Sequence, residues 1–151
     1  MTDVPEIAAV ASEVVVLCDV TRDVIDPAAH AAQVARAGAG AVVTFAGVVR
    51  DHDDGRAVVR IEYVAHPGAG EVLARVAADV ASRTAVDALA VSHRVGELDI
   101  GECALAVAAS AAHRDEAFAA VALLVDEVKR QVPVWKRQVF ADGSDEWVAC
   151  P

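Results

Sequence analysis

Ala41-Val42-Val43-Thr44-Phe45-Ala46-Gly47-Val48-Val49 is an apolar, β-branched run that ends in Arg50-Asp51-His52-Asp53-Asp54-Gly55-Arg56 and returns through Ala57-Val58-Val59-Arg60-Ile61-Glu62-Tyr63-Val64-Ala65. Asp54-Gly55 between two strand-forming runs is a strong turn signal. Alternation after residue 59 predicts a strand with one wet face. Together the two runs predict an antiparallel hairpin with a polar tip. That favours an α+β domain with a mainly antiparallel sheet and flanking helices over a doubly wound one.

Outward from this stretch, Val14 to Val20 predicts a strand, and Asp26-Pro27 places a cap and an N1 proline before a short helix over Ala28 to Ala37,. Gly38 and Gly40 close it. Residues 69 to about 84 carry apolar side chains at 72, 73, 76, 77 and 80, the spacing of an amphipathic helix,. Strands are expected over 86–95 and 102–110, with a loop over 97–101. From about His113 to Gln131 the spacing is helical until Pro133 stops it,. Val134 to Phe140 and Glu146 to Cys150 then make a last hairpin. Residues 1 to 12 show little periodicity and are expected to fray, leaving 13–151 as a single domain,.

Two lysines, Lys129 and Lys136, stand against eleven arginines, and both lie in Val128-Lys129-Arg130-Gln131-Val132-Pro133-Val134-Trp135-Lys136-Arg137-Gln138. An ammonium changes its pKa readily near other cations, whereas a guanidinium stays charged. The cluster therefore reads either as a site chosen for its amines, as nucleophile or proton donor, or as a solvated helix end complementing the dipole.

Three further groupings have the composition of a site. His113 and Arg114 begin the long helix, where free N–H groups favour an anion, though ordinary helix-start chemistry with Ser110 as cap fits equally. Arg50-Asp51-His52 at the hairpin tip is a binding loop or a solvated turn. His93-Arg94 at a strand end is the last, with a structural backbone-bonded histidine as its plain reading. Asp51, His52, Asp53 and Asp54 share no fixed face, so no metal is expected. One geometric point follows: sixteen helical steps of about 1.5 Å put His113 roughly 24 Å from Lys129. A small substrate cannot touch both, so the chain has two sites or a symmetric dimer shares one across subunits.

The 151 residues carry a formal charge of −10, which argues against nucleic acid or an anionic membrane as partner,. No apolar run approaches the roughly 18 residues of a membrane span and the N-terminus lacks a basic start, so a cytoplasmic protein is expected. Cys18, Cys103 and Cys150 are an odd number without C-x-x-C spacing, indicating neither a disulfide framework nor zinc,. With aromatics at 4%, the core should consist of small aliphatic side chains.

Taken together, Gly40-Ala41-Val42-Val43-Thr44-Phe45-x-Gly47-x-Val49-Arg50-x-His52, Glu62-Tyr63, His93-Arg94-Val95-Gly96-Glu97-Leu98, Ser110-Ala111-x-His113-Arg114, Lys129-x-x-x-Pro133-x-Trp135-Lys136-Arg137 and Trp147-Val148 resemble the large, catalytic subunit family of molybdopterin synthase. The resemblance implies an α/β hammerhead-type fold and a homodimer at the centre of a heterotetramer. It implies as partner a small ubiquitin-like sulfur carrier whose C-terminal Gly-Gly thiocarboxylate donates sulfur to cyclic pyranopterin monophosphate, without a resident cofactor. It assigns catalysis to Lys129 and Lys136, and substrate binding to Phe45, Arg50, His113, Arg114 and Arg137. Gln138 departs from the pattern, which usually has Glu there; losing a carboxylate beside Lys136 is expected to weaken that residue's charged form. The alternatives are a non-catalytic module that docks the carrier tail, and an enzyme acting on another phosphate ester without a carrier.

Overall fold

The computed structural model describes residues 13–149, so the expected fraying of residues 1 to 12 and the Cys150 thiol lie outside the described residues. The elements are β1 (Val15–Thr21), α1 (Pro27–Val34), β2 (Ala41–Val48), β3 (His52–Asp53), β4 (Arg56–Ala65), α2 (Ala69–Arg83), β5 (Ala88–Arg94), β6 (Gly96–Asp99), β7 (Cys103–Ala111), α3 (Arg114–Gln131), β8 (Val134–Phe140) and β9 (Asp145–Ala149). One sheet has the order β1-β5-β7-β2; the other runs β3-β4-β8-β9, with β6 also paired to β4. The β1–β5 pairing is parallel and the other described pairings are antiparallel. The fold is thus α+β and mainly antiparallel, as expected.

The first sheet is covered on both faces. α1 packs against Ala88, Ala90 and Ala108, where alanines let the helix come close. α2 and α3 cover the opposite face, with Leu73 and Leu124 set against Leu89, Val91 and Val107. Burial on two sides is why β5 and β7 read as continuous apolar runs instead of alternating ones,. The core is indeed mostly Ala, Val and Leu. On the α1 side His30 closes a buried polar tie: Nδ1–H donates to the Asp26 carbonyl at 2.8 Å, and Nε2 accepts from the Ser92 hydroxyl at 2.7 Å,.

The predicted hairpin of residues 41–65 is corrected. β2 pairs along its length with β7, from Ala41 opposite Ala111 to Val48 opposite Cys103, and not with β4. The Asp54-Gly55 turn exists, with φ of 50° and 75°, but it joins β4 to the two-residue β3. Such a turn dictates only the pairs beside it. Further along, the alternation of β2 puts Val43 and Phe45 toward the core, and the chain changes sheets at Val49, whose N–H donates to the Glu102 carbonyl at 3.0 Å. The expected loop at 97–101 is also corrected, since residues 96–99 form β6, entered through Gly96 at φ 97° and anchored by fully buried Leu98. α1 ends at Val34, three residues short of the expected boundary.

Candidate functional site

Two elements meeting at a proline bring the lysines together. α3 ends at Gln131, and β8 begins at Val134 after Val132 and Pro133. Lys129 lies in the last helical turn, while alternation on β8 turns Val134, Lys136 and Gln138 to one face. All four line a cavity of about 280 Å³ where the second sheet meets β2, β5 and α3; Phe45, Arg50, Asp53, Ile61, Tyr63 and His93 also line it. Gly47 explains the Phe-x-Gly spacing, because a Cβ there would lie 3.2 Å from Phe45 Cε1. The ring thus folds over the glycine at the cavity wall.

Arg50, Lys129 and Lys136 bring three cations to the cavity, and Asp53 is the one acidic residue among those lining it. Asp53 Oδ1 accepts from Arg50 at 3.0 Å and Oδ2 from Gln138 Nε2 at 2.8 Å. The Gln138 bond, then Arg50 and the nearby Lys136 charge, hold the Asp53 carboxyl below the usual range against some desolvation,. Position 138 is almost wholly buried at 2% exposure, so its amide has a fixed direction. Position 138 thus brings no carboxylate to the cavity, but Asp53 of β3, bonded to the Gln138 amide, does.

His93 is buried against Tyr63, the two rings meeting edge to face with centroids 5.4 Å apart. A carbonyl can only accept, so the 2.8 Å contact with the Arg94 carbonyl places the proton of neutral His93 on Nδ1 and leaves Nε2 as the lone-pair nitrogen,. Burial pushes the imidazole below its ordinary 6.5, the carbonyl bond opposing and the Lys129 charge adding to the shift. Arg94 turns elsewhere, to an ion pair with Glu102.

Other residues singled out in the sequence stand apart from the cavity. His113 is the N-cap of α3 and makes no side-chain cap bond; Arg114 follows it, and both are exposed at the far end of the helix from Lys129. Ser110 does not cap this helix, for its Oγ is buried and has no hydrogen-bond partner among the described residues. Arg137 occupies the other face of β8, donating through Nε to Asp145 at 2.6 Å with Glu62 at 3.8 Å. Cys18 and Cys103 are half-buried free thiols; burial first, then Asp19, pushes Cys18 up to about 11. Among the described residues no three His, Cys, Asp or Glu side chains gather as a metal site, and no helix is long and apolar enough to cross a membrane. Sequence reasoning missed Asp53 as a cavity residue. Gln138 was legible, because a strand puts it on the Lys136 face.

The family pattern described as MoaE protein matches residues 20–131. A molybdopterin synthase catalytic subunit from Bacillus subtilis is 39% identical over 111 residues, which make up 73% of this chain and 70% of that protein. The crystal structure of molybdopterin synthase from Staphylococcus aureus superposes with a TM-score of 0.78 at 27% identity, over 85% of this chain and 94% of the other. A complex of subunits 1 and 2 of molybdopterin-converting factor from Helicobacter pylori contains the same fold, with a TM-score of 0.65 at 16% identity over 90% and 89%.

Proposed function

The chain belongs to the MoaE family, and on that premise we propose that it is the catalytic subunit that moves sulfur from a small carrier protein to cyclic pyranopterin monophosphate, building the dithiolene of molybdopterin in two transfers. The donor is the thiocarboxylate at the carrier's Gly-Gly terminus, and no resident cofactor takes part. The observation that carries this reading is the convergence of Lys129 and Lys136, from a helix end and a strand, on one cavity with Arg50. Thiocarboxylate and phosphate are both anions, and a molecule of charge −10 can hold them only where cations are gathered locally,.

In this reading Lys129 meets the thiocarboxylate, polarising its carbonyl or capturing its acyl group covalently; the sulfur bonds to the pterin carbon, and water cleaves the acyl–sulfur or acyl–lysine bond, so that the carrier leaves with a carboxylate. Lys136 acts on the pterin side as acid or electrostatic stabiliser while carbon–sulfur bonds form. Arg50 binds phosphate and Phe45 lines the pocket. His113 and Arg114 complete the phosphate site from a second copy of the chain, within a homodimer that carries two sulfur carriers. The cytoplasm as the place of reaction belongs to the same proposal.

Mixing the chain with thiocarboxylated carrier and precursor tests it. The wild type consumes precursor and leaves carboxylate on the carrier; Lys129→Ala and Lys129→Arg do neither. Wild-type activity in Lys129→Arg refutes an amine role, and a carrier bound without any precursor consumed refutes the enzyme in favour of a docking module.

A further inference from the structure

Asp53 is placed to do more than close a turn. Its two oxygens are divided between two partners from different elements, Arg50 in the segment after β2 and Gln138 on β8, at 3.0 and 2.8 Å. Gln138 is buried where a flexible polar side chain gains nothing from water, and its Nε2 is spent on this one bond,. Arg50, by contrast, has a side chain 66% exposed, and Asp53 is its ion-pair partner. An exposed guanidinium held at one end only by a fixed carboxylate takes its direction from that carboxylate.

The titratable groups that line the cavity with Lys136 are Arg50 from the β2–β3 connection, Asp53 from β3, its cross-strand neighbour Tyr63 from β4, His93 from β5 and Lys129 from α3. Of these, only Asp53 is an anion near neutral pH. Two cations and one carboxylate therefore set the field at the Lys136 amine, and removing the carboxylate leaves like charges alone.

We propose that Asp53, seated by Gln138, is a positioning residue of the sulfur-transfer site: it aims Arg50 and sets from β3 a negative charge beside the Lys136 amine. The inference rests on the sulfur-transfer reading for its effect on rate, but not for its effect on Lys136. Carboxylate and amide have nearly the same shape, so the pair Asp53 and Gln138 can be inverted. Asn at 53 and Glu at 138 would put the same charge in the same contact from β8 instead of β3.

The test uses Asp53→Asn, Gln138→Glu and the double exchange Asp53→Asn/Gln138→Glu. Its first readout needs no substrate: with two lysines in the chain, carbon-13 labelling of lysine gives two side-chain signals to titrate by NMR. In Asp53→Asn the Lys136 signal titrates at lower pH than in the wild type, by more than the Lys129 signal moves, and the double exchange returns it. The second readout is kcat/KM with thiocarboxylated carrier. Asp53→Asn lowers it about tenfold, the effect of one charge-assisted hydrogen bond, and the double exchange recovers it to within a few-fold. Gln138→Glu alone sets two carboxylates against each other and loses activity as pH rises. An unmoved Lys136 titration in Asp53→Asn, an unchanged kcat/KM, or a double exchange no better than Asp53→Asn overturns the proposal. If chains with Glu at the buried position 138 do not fold, Asp53→Asn decides alone, because that side chain is a third exposed. Wild-type turnover in the same assay separates failure of this inference from failure of the sulfur-transfer reading.

Discussion

A chain carrying His113→Ala and another carrying Lys129→Ala should each be inactive alone and regain activity when reassorted into mixed dimers. α3 runs unbroken over Arg114–Gln131 with His113 as its N-cap. Sixteen residues at about 1.5 Å separate the two positions by roughly 24 Å. The cavity holding Lys129 has a volume of about 280 Å³, roughly 8 Å across if spherical,. A phosphate held by His113 of the same chain therefore lies far outside it. In a two-fold dimer each site takes Lys129 from one chain and His113 from the other. A mixed dimer then has one site with both substitutions and one with neither. Random reassortment of equal amounts makes half the dimers mixed, and half their sites are intact, so about a quarter of the wild-type rate should return. Precursor conversion with excess thiocarboxylated carrier measures the rate, and native mass spectrometry counts mixed dimers. A rate no higher than that of the unmixed variants, with mixed dimers present, refutes a site shared between subunits.

Lys136→Ala should lower turnover by roughly 100-fold or more at saturating precursor, the usual loss when a positioned proton donor is removed. Stability should fall as pH drops below 6.5. His93 is held below that ordinary value by burial, so in this window the unfolded chain binds a proton that the folded one refuses. The resulting slope, at most about 1.4 kcal/mol per pH unit, should shrink in His93→Gln when urea midpoints are compared between pH 7 and pH 5. Gly40→Ala should cost about 1–3 kcal/mol in urea unfolding, because its Cβ would lie 2.7 Å from the Ala112 carbonyl oxygen.

Much of the local structure was legible. The boundaries of β8 were read without error, since Pro133 ends the helix and Val134 opens a run whose partners Val64 and Ala65 are similarly apolar. The convergence of the two lysines was legible in kind from composition, because an arginine-rich chain keeps its amines for one place. Pairing was not. Nothing between residues 41 and 65 says that β2 belongs to β7, sixty residues away, since that choice is made by packing Val43 and Phe45 under α3. β6 escaped notice because it is only four residues long, and Leu98 is the one apolar side chain larger than glycine within it. Asp53 looked like one aspartate among three at a wet turn; its importance lies in Gln138, eighty-five positions on.

Strand β8 has cations on both faces, Lys136 inward and Arg137 outward. A slip of one residue against β4 would exchange them, leaving charge, composition and sheet pairing nearly unchanged while offering the pocket a guanidinium in place of an amine. The outward contact of Arg137 with Asp145 on β9 opposes that slip, so a strand with no residue lining the cavity guards which cation faces inward. Insertions and deletions between Pro133 and Phe140 should accordingly be tolerated far less in evolution than substitutions on the outer face, even where the altered chain still folds.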